Sequence, residues 1–182
     1  MPKVLFSVKT KRGSNLDVYS DGGRSPFSPS NIVNGRIFYN NKLGLNNERA
    51  QPDQSYNCHG LTLIGRLGWF ETNSNILTIL NDNGFKSILS VSNISREKIL
   101  DTHNILPGDV VIYKQANTPR SFNITHTCTI YNVHKFTLHR VSYLSLRALS
   151  KLGQMGEYFH KINNSYITSI YGNTIEIWSN SI

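Results

Sequence analysis

The chain changes character at Leu106-Pro107-Gly108-Asp109. Upstream of it, apolar residues recur at helical spacing. Downstream they come in short runs rich in β-branched side chains. The Pro-Gly step makes a turn, and Val110-Val111-Ile112-Tyr113 leaves it as the apolar run typical of a buried strand. Residues 125–133 form a second strong strand candidate on the same grounds. Helices first and an antiparallel sheet after predict an α+β domain with N-terminal helices packed on the sheet.

Other elements follow from punctuation and period. Asn57 is an N-cap candidate for a helix over 57–71, with Leu61, Ile64, Leu67 and Gly68 on one face. A second short helix is expected over 75–83, turning Ile76, Ile79 and Leu80 inward and stopping at Gly84. Residues 95–98 are expected to start one more helical turn. Nearer the start, residues 3–8 read as a strand, Asp21-Gly22-Gly23 and Ser25-Pro26-Phe27-Ser28-Pro29 as turns, and residues 36–39 as a short strand. Beyond the Pro-Gly turn, 115–123 reads as a loop, 136–141 as a strand, 146–149 as a strand or helix, and 150–156 as a loop. Tyr171-Gly172-Asn173 is then a turn before a closing strand over 174–178.

A length of 182 residues is enough for one domain with a real core. The expected organisation is a domain over 50–182 with residues 1–49 packed on it as a lid or wrapping arm. The net charge is +8, with Lys and Arg scattered and Lys9-Thr10-Lys11-Arg12 the densest cluster. A basic solvated surface accounts for this. So does attraction to an anionic partner such as a cell-wall polymer or an acidic protein. Nucleic acid is not expected, because zinc-finger spacing, an aromatic RNA-binding signature and a basic helix are all missing. The two cysteines make no disulfide framework. The first apolar run is too short for a signal peptide, and no stretch approaches the ~20 apolar residues of a membrane span. Synthesis in a cytoplasm is therefore expected, with any action elsewhere reached by a route other than an N-terminal signal.

Chemistry concentrates at Asn57-Cys58-His59-Gly60, between a polar loop and an apolar helical segment. A thiol at a helix start meets unpaired N–H groups and the positive end of the helix dipole. Both favour the thiolate, which is the nucleophile. A base is offered by His126 in Thr125-His126-Thr127-Cys128-Thr129, whose strand turns His126 and Cys128 to one face.

Asn57-Cys58-His59-Gly60 followed by an apolar helix resembles the nucleophile segment of bacterial NlpC-type cysteine peptidases, which have a papain-like fold. The Pro107-Gly108-Asp109 strand and the His126 strand are similar to that family's next two segments. Ser150-Lys151-Leu152-Gly153, Gly156-Glu157-Tyr158-Phe159-His160 and Tyr171-Gly172 look like the tail of a divergent subgroup. The resemblance covers about residues 50–178. It departs from the commoner members at His59 and Gly60, where they carry Trp or Ser beside the cysteine. It implies acyl transfer through a thioester: Cys58 attacks an amide carbonyl and His126 protonates the leaving amine. His160 is taken as the third catalytic residue, with His139 and Ser150 as alternatives. The Cys58 N–H, with Asn57 or Tyr56, makes an oxyanion hole, and His59 is a helix-start residue or a substrate contact. The substrate is a peptide, a peptidoglycan stem amide or a protein glutamine, without any cofactor. The subgroup resemblance also suggests a secreted effector or toxin, with an immunity protein as a partner.

Plainer readings compete. Cys58 can be a buried small hydrophobe, and His126 a structural histidine. Cys128 reads as core, and Asp109 as part of a turn. Trp69, Phe70 and Trp178 read as core rather than a binding platform. Cys58, His59, His126 and Cys128 are suitable zinc ligands, but an adjacent Cys-His pair suits one tetrahedral ion badly. A catalytically inactive papain-like binding module with a basic surface is the alternative function.

Overall fold

The computed structural model describes residues 4–20, 27–44, 47–70, 73–118, 121–153 and 155–181. In chain order its elements are β1 (Val4–Lys9), β2 (Asn15–Tyr19), α1 (Pro29–Leu43), β3 (Glu48–Ala50), α2 (Cys58–Ile64), α3 (Asn73–Asp82), β4 (Lys86–Val91), β5 (Ile99–Leu100), β6 (Val110–Thr118), β7 (Ser121–Leu138), β8 (Val141–Lys151), β9 (Glu157–Lys161), α4 (Ser165–Tyr171) and β10 (Thr174–Ser179). Four helices and antiparallel strand pairs among the described residues make the chain α+β. None of these helices is long and apolar enough to cross a membrane.

Two compact units share the chain. The first comprises Met1–Gly84 and Ser150–Phe159, the second Phe85–Leu149 and His160–Ile182. The boundary read from sequence at residues 49/50 falls inside β3, which pairs with the start of β9 in the first unit.

In the first unit, β1 and β2 form an antiparallel hairpin that buries Leu16 and Val18. Tyr19 and Trp69 exchange two backbone hydrogen bonds, tying that hairpin to the segment after α2. Helix α3 turns Ile76, Ile79 and Leu80 inward, as the spacing predicts. The hydroxyl of Thr10 donates to Asp82 at its C-terminal end, at 2.6 Å.

Helix α1 overturns two expectations. Residues 36–39 are helical rather than extended, and Pro29 is the helix's first residue rather than part of a turn. Asp21-Gly22-Gly23 and Ser25-Pro26 lie outside the described residues. Ser28 caps α1 by accepting from the Asn31 N–H, with proline in the first turn where its missing N–H costs nothing. No residue of α1 is buried, so it has no apolar stripe for a periodicity argument to find. Helix α2 is also shorter than expected: it ends at Ile64 with Gly65 left-handed, and Leu67 is exposed.

The second unit is built on a five-strand order, β4-β10-β6-β7-β8, with β5 added on β8. Val111, Ile112, Ile175 and Ile177 are fully buried in its central strands. The closing strand, β10, is thus internal, between β6 and β4. Within the expected 115–123 loop the described residues are instead paired: Gln115 faces Asn123 and Ala116 faces Phe122 across β6 and β7. A polar composition read there as a loop is overridden by ladder pairing. Residues 136–141 are likewise not one strand. His139 and Arg140 have φ of 50° and 66° and form a two-residue turn between β7 and β8, the twist that suits a tight hairpin. Residues 146–149 are strand, within β8. Residues 95–98 contain only a turn closed on the Asn93 carbonyl. β2, β4 and α4 carry no expectation from the sequence.

Candidate active site

Cys58 is the first helical residue of α2 and is partly exposed. Its position is set by Asn57, whose extended backbone and side chain start the helix. Asn57 Oδ1 accepts from the Gly60 N–H at 2.8 Å and from the Phe70 N–H at 3.2 Å, while its Nδ2 donates to the Phe70 carbonyl at 3.0 Å. The same side chain is therefore an N-cap and a clamp on the segment that returns after α2. That return is close: a Cβ on Gly60 would lie 1.9 Å from the Gly68 carbonyl oxygen.

A cluster of charge lies in the same unit. Glu157 is completely buried. Arg66 donates to both its oxygens, Arg49 donates at 2.7 Å, and the Tyr56 hydroxyl donates at 2.7 Å. Burial works to raise the Glu157 carboxyl, but these donors outweigh it and hold it at about 2. Burial and the Glu157 charge together push the Tyr56 phenol up, so it stays a neutral donor.

Lys151, at the end of β8, is also completely buried. Its ammonium donates to the Met155 carbonyl and sits 4.7 Å from the centre of the Tyr56 ring. Burial pulls it down to about 8, against the opposing charges of Asp53, Glu157 and Cys58. His59 is buried beside the cysteine, and burial pushes it down to about 4, so it is neutral at neutral pH.

The two histidines assigned to catalysis belong to the second unit. His126, on β7, is fully buried opposite Tyr113 of β6. Its ring stacks on Tyr171 at 4.0 Å between centroids and 16° between planes, and lies 5.6 Å from the Tyr113 ring. His160, on β9, is 2% exposed with Nδ1 at 3.0 Å from the Lys161 carbonyl, and burial pushes it to about 4. Of the alternatives, Ser150 is buried on β8, whereas His139 is exposed at the β7–β8 turn rather than on a strand beside His126.

The structure thus brings Tyr56, Asn57, Cys58 and His59 together in the first unit and places His126 and His160 in the second. It adds Lys151, Glu157, Arg66 and Arg49; Lys151 and Glu157 lie in the segments that resemble the subgroup tail, but none of the four is expected from the sequence as a site residue. Residues 150–156 are expected as a loop, whereas Ser150 and Lys151 end β8 and are buried. No local signal pairs Glu157 with Arg66. Both cysteines are thiols, with Cys128 completely buried on β7. Among the described residues, no group of three or more His, Cys, Asp or Glu is placed to hold a metal ion. Comparison with protein-family models, curated proteins and solved structures gives no match.

Proposed function

We propose that the chain is a cysteine-dependent amide hydrolase of papain-like, NlpC-type character, with Cys58 as its nucleophile. The observation that carries this reading is the contrast between the two thiols. Cys58 is partly exposed at the first position of a helix and clamped by Asn57, whereas Cys128 is sealed in a strand. The thiolate attacks an amide carbonyl carbon, the C–N bond breaks, and the amine leaves with a proton. Water then cleaves the thioester and restores the thiol. His126 is the residue that moves the proton in this proposal, and replacing it tests that role. Suitable substrates are a peptide, a peptidoglycan stem amide or a protein glutamine.

Purified protein and its Cys58→Ser and His126→Ala variants are incubated with casein, peptidoglycan and a glutamine-containing peptide. Wild type is expected to hydrolyse one of these amides, with loss on either substitution. Low iodoacetamide should label Cys58 well before Cys128. Equal, sluggish labelling of both thiols with no amide cleaved would overturn the reading. The complete burial of His126 against Tyr171 favours a second reading, a catalytically inactive module of the same fold that binds through its basic surface. In that case, Cys58→Ser leaves binding to an acidic polymer unchanged.

A further inference from the structure

We infer that Lys151 is a positioning residue for the nucleophile: its buried ammonium, fixed at the Met155 carbonyl and over the Tyr56 ring, holds Cys58 in its thiolate form. The inference rests on the reading of Cys58 as nucleophile.

Lysine is almost never fully buried without something to balance its charge. Lys151 is 0% exposed. The Met155 carbonyl satisfies one of its three donors, and the face of Tyr56 supplies a cation–π contact. Glu157 is not its ion-pair partner, because both Glu157 oxygens already accept from Arg66, Arg49 and Tyr56. The charges that Lys151 feels are those of Asp53, Glu157 and Cys58. The first two are permanent at neutral pH. Only the thiol can switch, and it switches toward the negative form when an ammonium is near.

The geometry is continuous. The ring under the ammonium belongs to Tyr56, two residues before Cys58, and Asn57 between them is pinned to Gly60 and Phe70. A seven-residue α2 has little dipole of its own to offer. Asp53 and Glu157 oppose a thiolate. Arg66 and Arg49 are engaged on Glu157, and His59 and Tyr56 are neutral at neutral pH. Lys151 is therefore a cation of the cluster held in no close ion pair, its charge opposed at longer range by Asp53 and Glu157 as well as by Cys58. Its own fall to about 8 sets an upper limit to the pH range in which it can act.

The test is the pH profile of iodoacetamide alkylation, read by mass spectrometry at Cys58 with Cys128 as the internal control. Wild type, Lys151→Gln and Lys151→Arg are compared. Gln keeps a donor for the Met155 carbonyl but removes the charge, and Arg keeps the charge. Wild-type Cys58 should titrate below the ~8.5 of an ordinary thiol. Lys151→Gln should raise that midpoint by about one unit, roughly tenfold slower alkylation at pH 6.5, and Lys151→Arg should restore it. An unchanged profile in Lys151→Gln overturns the inference. Should that variant not fold, wild type decides: a midpoint at the ordinary thiol value overturns it, and a low midpoint with a second inflection near 8 supports it. Amide hydrolysis is scored separately. Hydrolysis with an unshifted Lys151→Gln profile sinks only the role of Lys151, and a shifted profile without hydrolysis sinks only the hydrolase.

Discussion

Arg66 closes its guanidinium on both oxygens of the buried Glu157 carboxylate, reaching from the turn just after the cysteine helix to the first residue of β9. The grip is two-pronged and charge-assisted, the geometry for which arginine is suited and lysine is not. Arg66 also adopts φ of 73°, and its N–H donates to the Gly60 carbonyl at 3.0 Å. One residue thus ends the α2 segment and anchors the carboxylate beneath it.

Removing the carboxylate or its main partner should be costly in a definite order. Glu157→Ala strands Arg66, Arg49 and the Tyr56 hydroxyl, and a loss of about 3–5 kcal/mol is expected. Arg66→Ala leaves a buried carboxylate with two donors and should cost less. Arg49→Ala removes one contact from a half-exposed side chain and should cost least. Urea unfolding of the three variants measures the order, and a reversal would show that the cluster is not organised around Glu157.

Stability should fall on mild acidification. His59 and His160 are held at about 4 in the folded chain, mainly by burial, against the ordinary 6.5 when unfolded. Between those values the unfolded chain takes up protons that the folded chain refuses. Stability is therefore full above pH 6.5 and drains away as the pH drops to 4, by up to about 3 kcal/mol per imidazole. Glu157 continues the loss between about 4.5 and 2. Lys151 works at the other end: its buried charge opposes folding below about 8, and that cost disappears as the pH rises toward 10.5. Urea midpoints across pH 4–10 test this, with His160→Gln expected to flatten its share of the acid limb.

Asn57 should matter more than an ordinary cap. Asn57→Ala loses the bond from Gly60 and leaves both backbone groups of Phe70 without their side-chain partner, for about 2–4 kcal/mol. Asn57→Asp keeps both accepted bonds and should cost less. If the clamp also orders Cys58, the Ala variant loses the preference of iodoacetamide for Cys58 over Cys128 at moderate urea. Equal stability of the two variants would reduce Asn57 to a solvent-exposed polar residue, contrary to its burial.

Glycines separate crowding from backbone strain. Gly60→Ala meets the Gly68 carbonyl at 1.9 Å, and Gly172→Ala, at φ of 104°, meets the Lys114 carbonyl at 2.2 Å. Gly84→Ala has φ of 86° but open space around it. The first two should lose at least about 2 kcal/mol by displacing backbone, and the third about 1 kcal/mol from its left-handed conformation alone. Thermal unfolding ranks them.

Features that depend on neighbours along the chain can be read without coordinates. The inward trio Ile76, Ile79 and Leu80 follows from a 3.6-residue period, the start of α2 from an asparagine whose side chain can cap a helix, and the strands through Val110 and His126 from β-branched runs. Helix α1 was hidden because its apolar residues Val33, Ile37 and Phe38 face outward, so only the Ser28-Pro29 cap announces it. The β7–β8 turn was hidden because two residues with side chains, His139 and Arg140, take the left-handed conformation usually given to Asn or Gly. At the site, the local half was legible: a thiol beside an N-cap. The burial of Lys151 and Glu157 in the same unit as that thiol emerges only on folding. A charge leaves water only when distant parts of the chain supply its donors and counter-charges together, and no local pattern records that meeting.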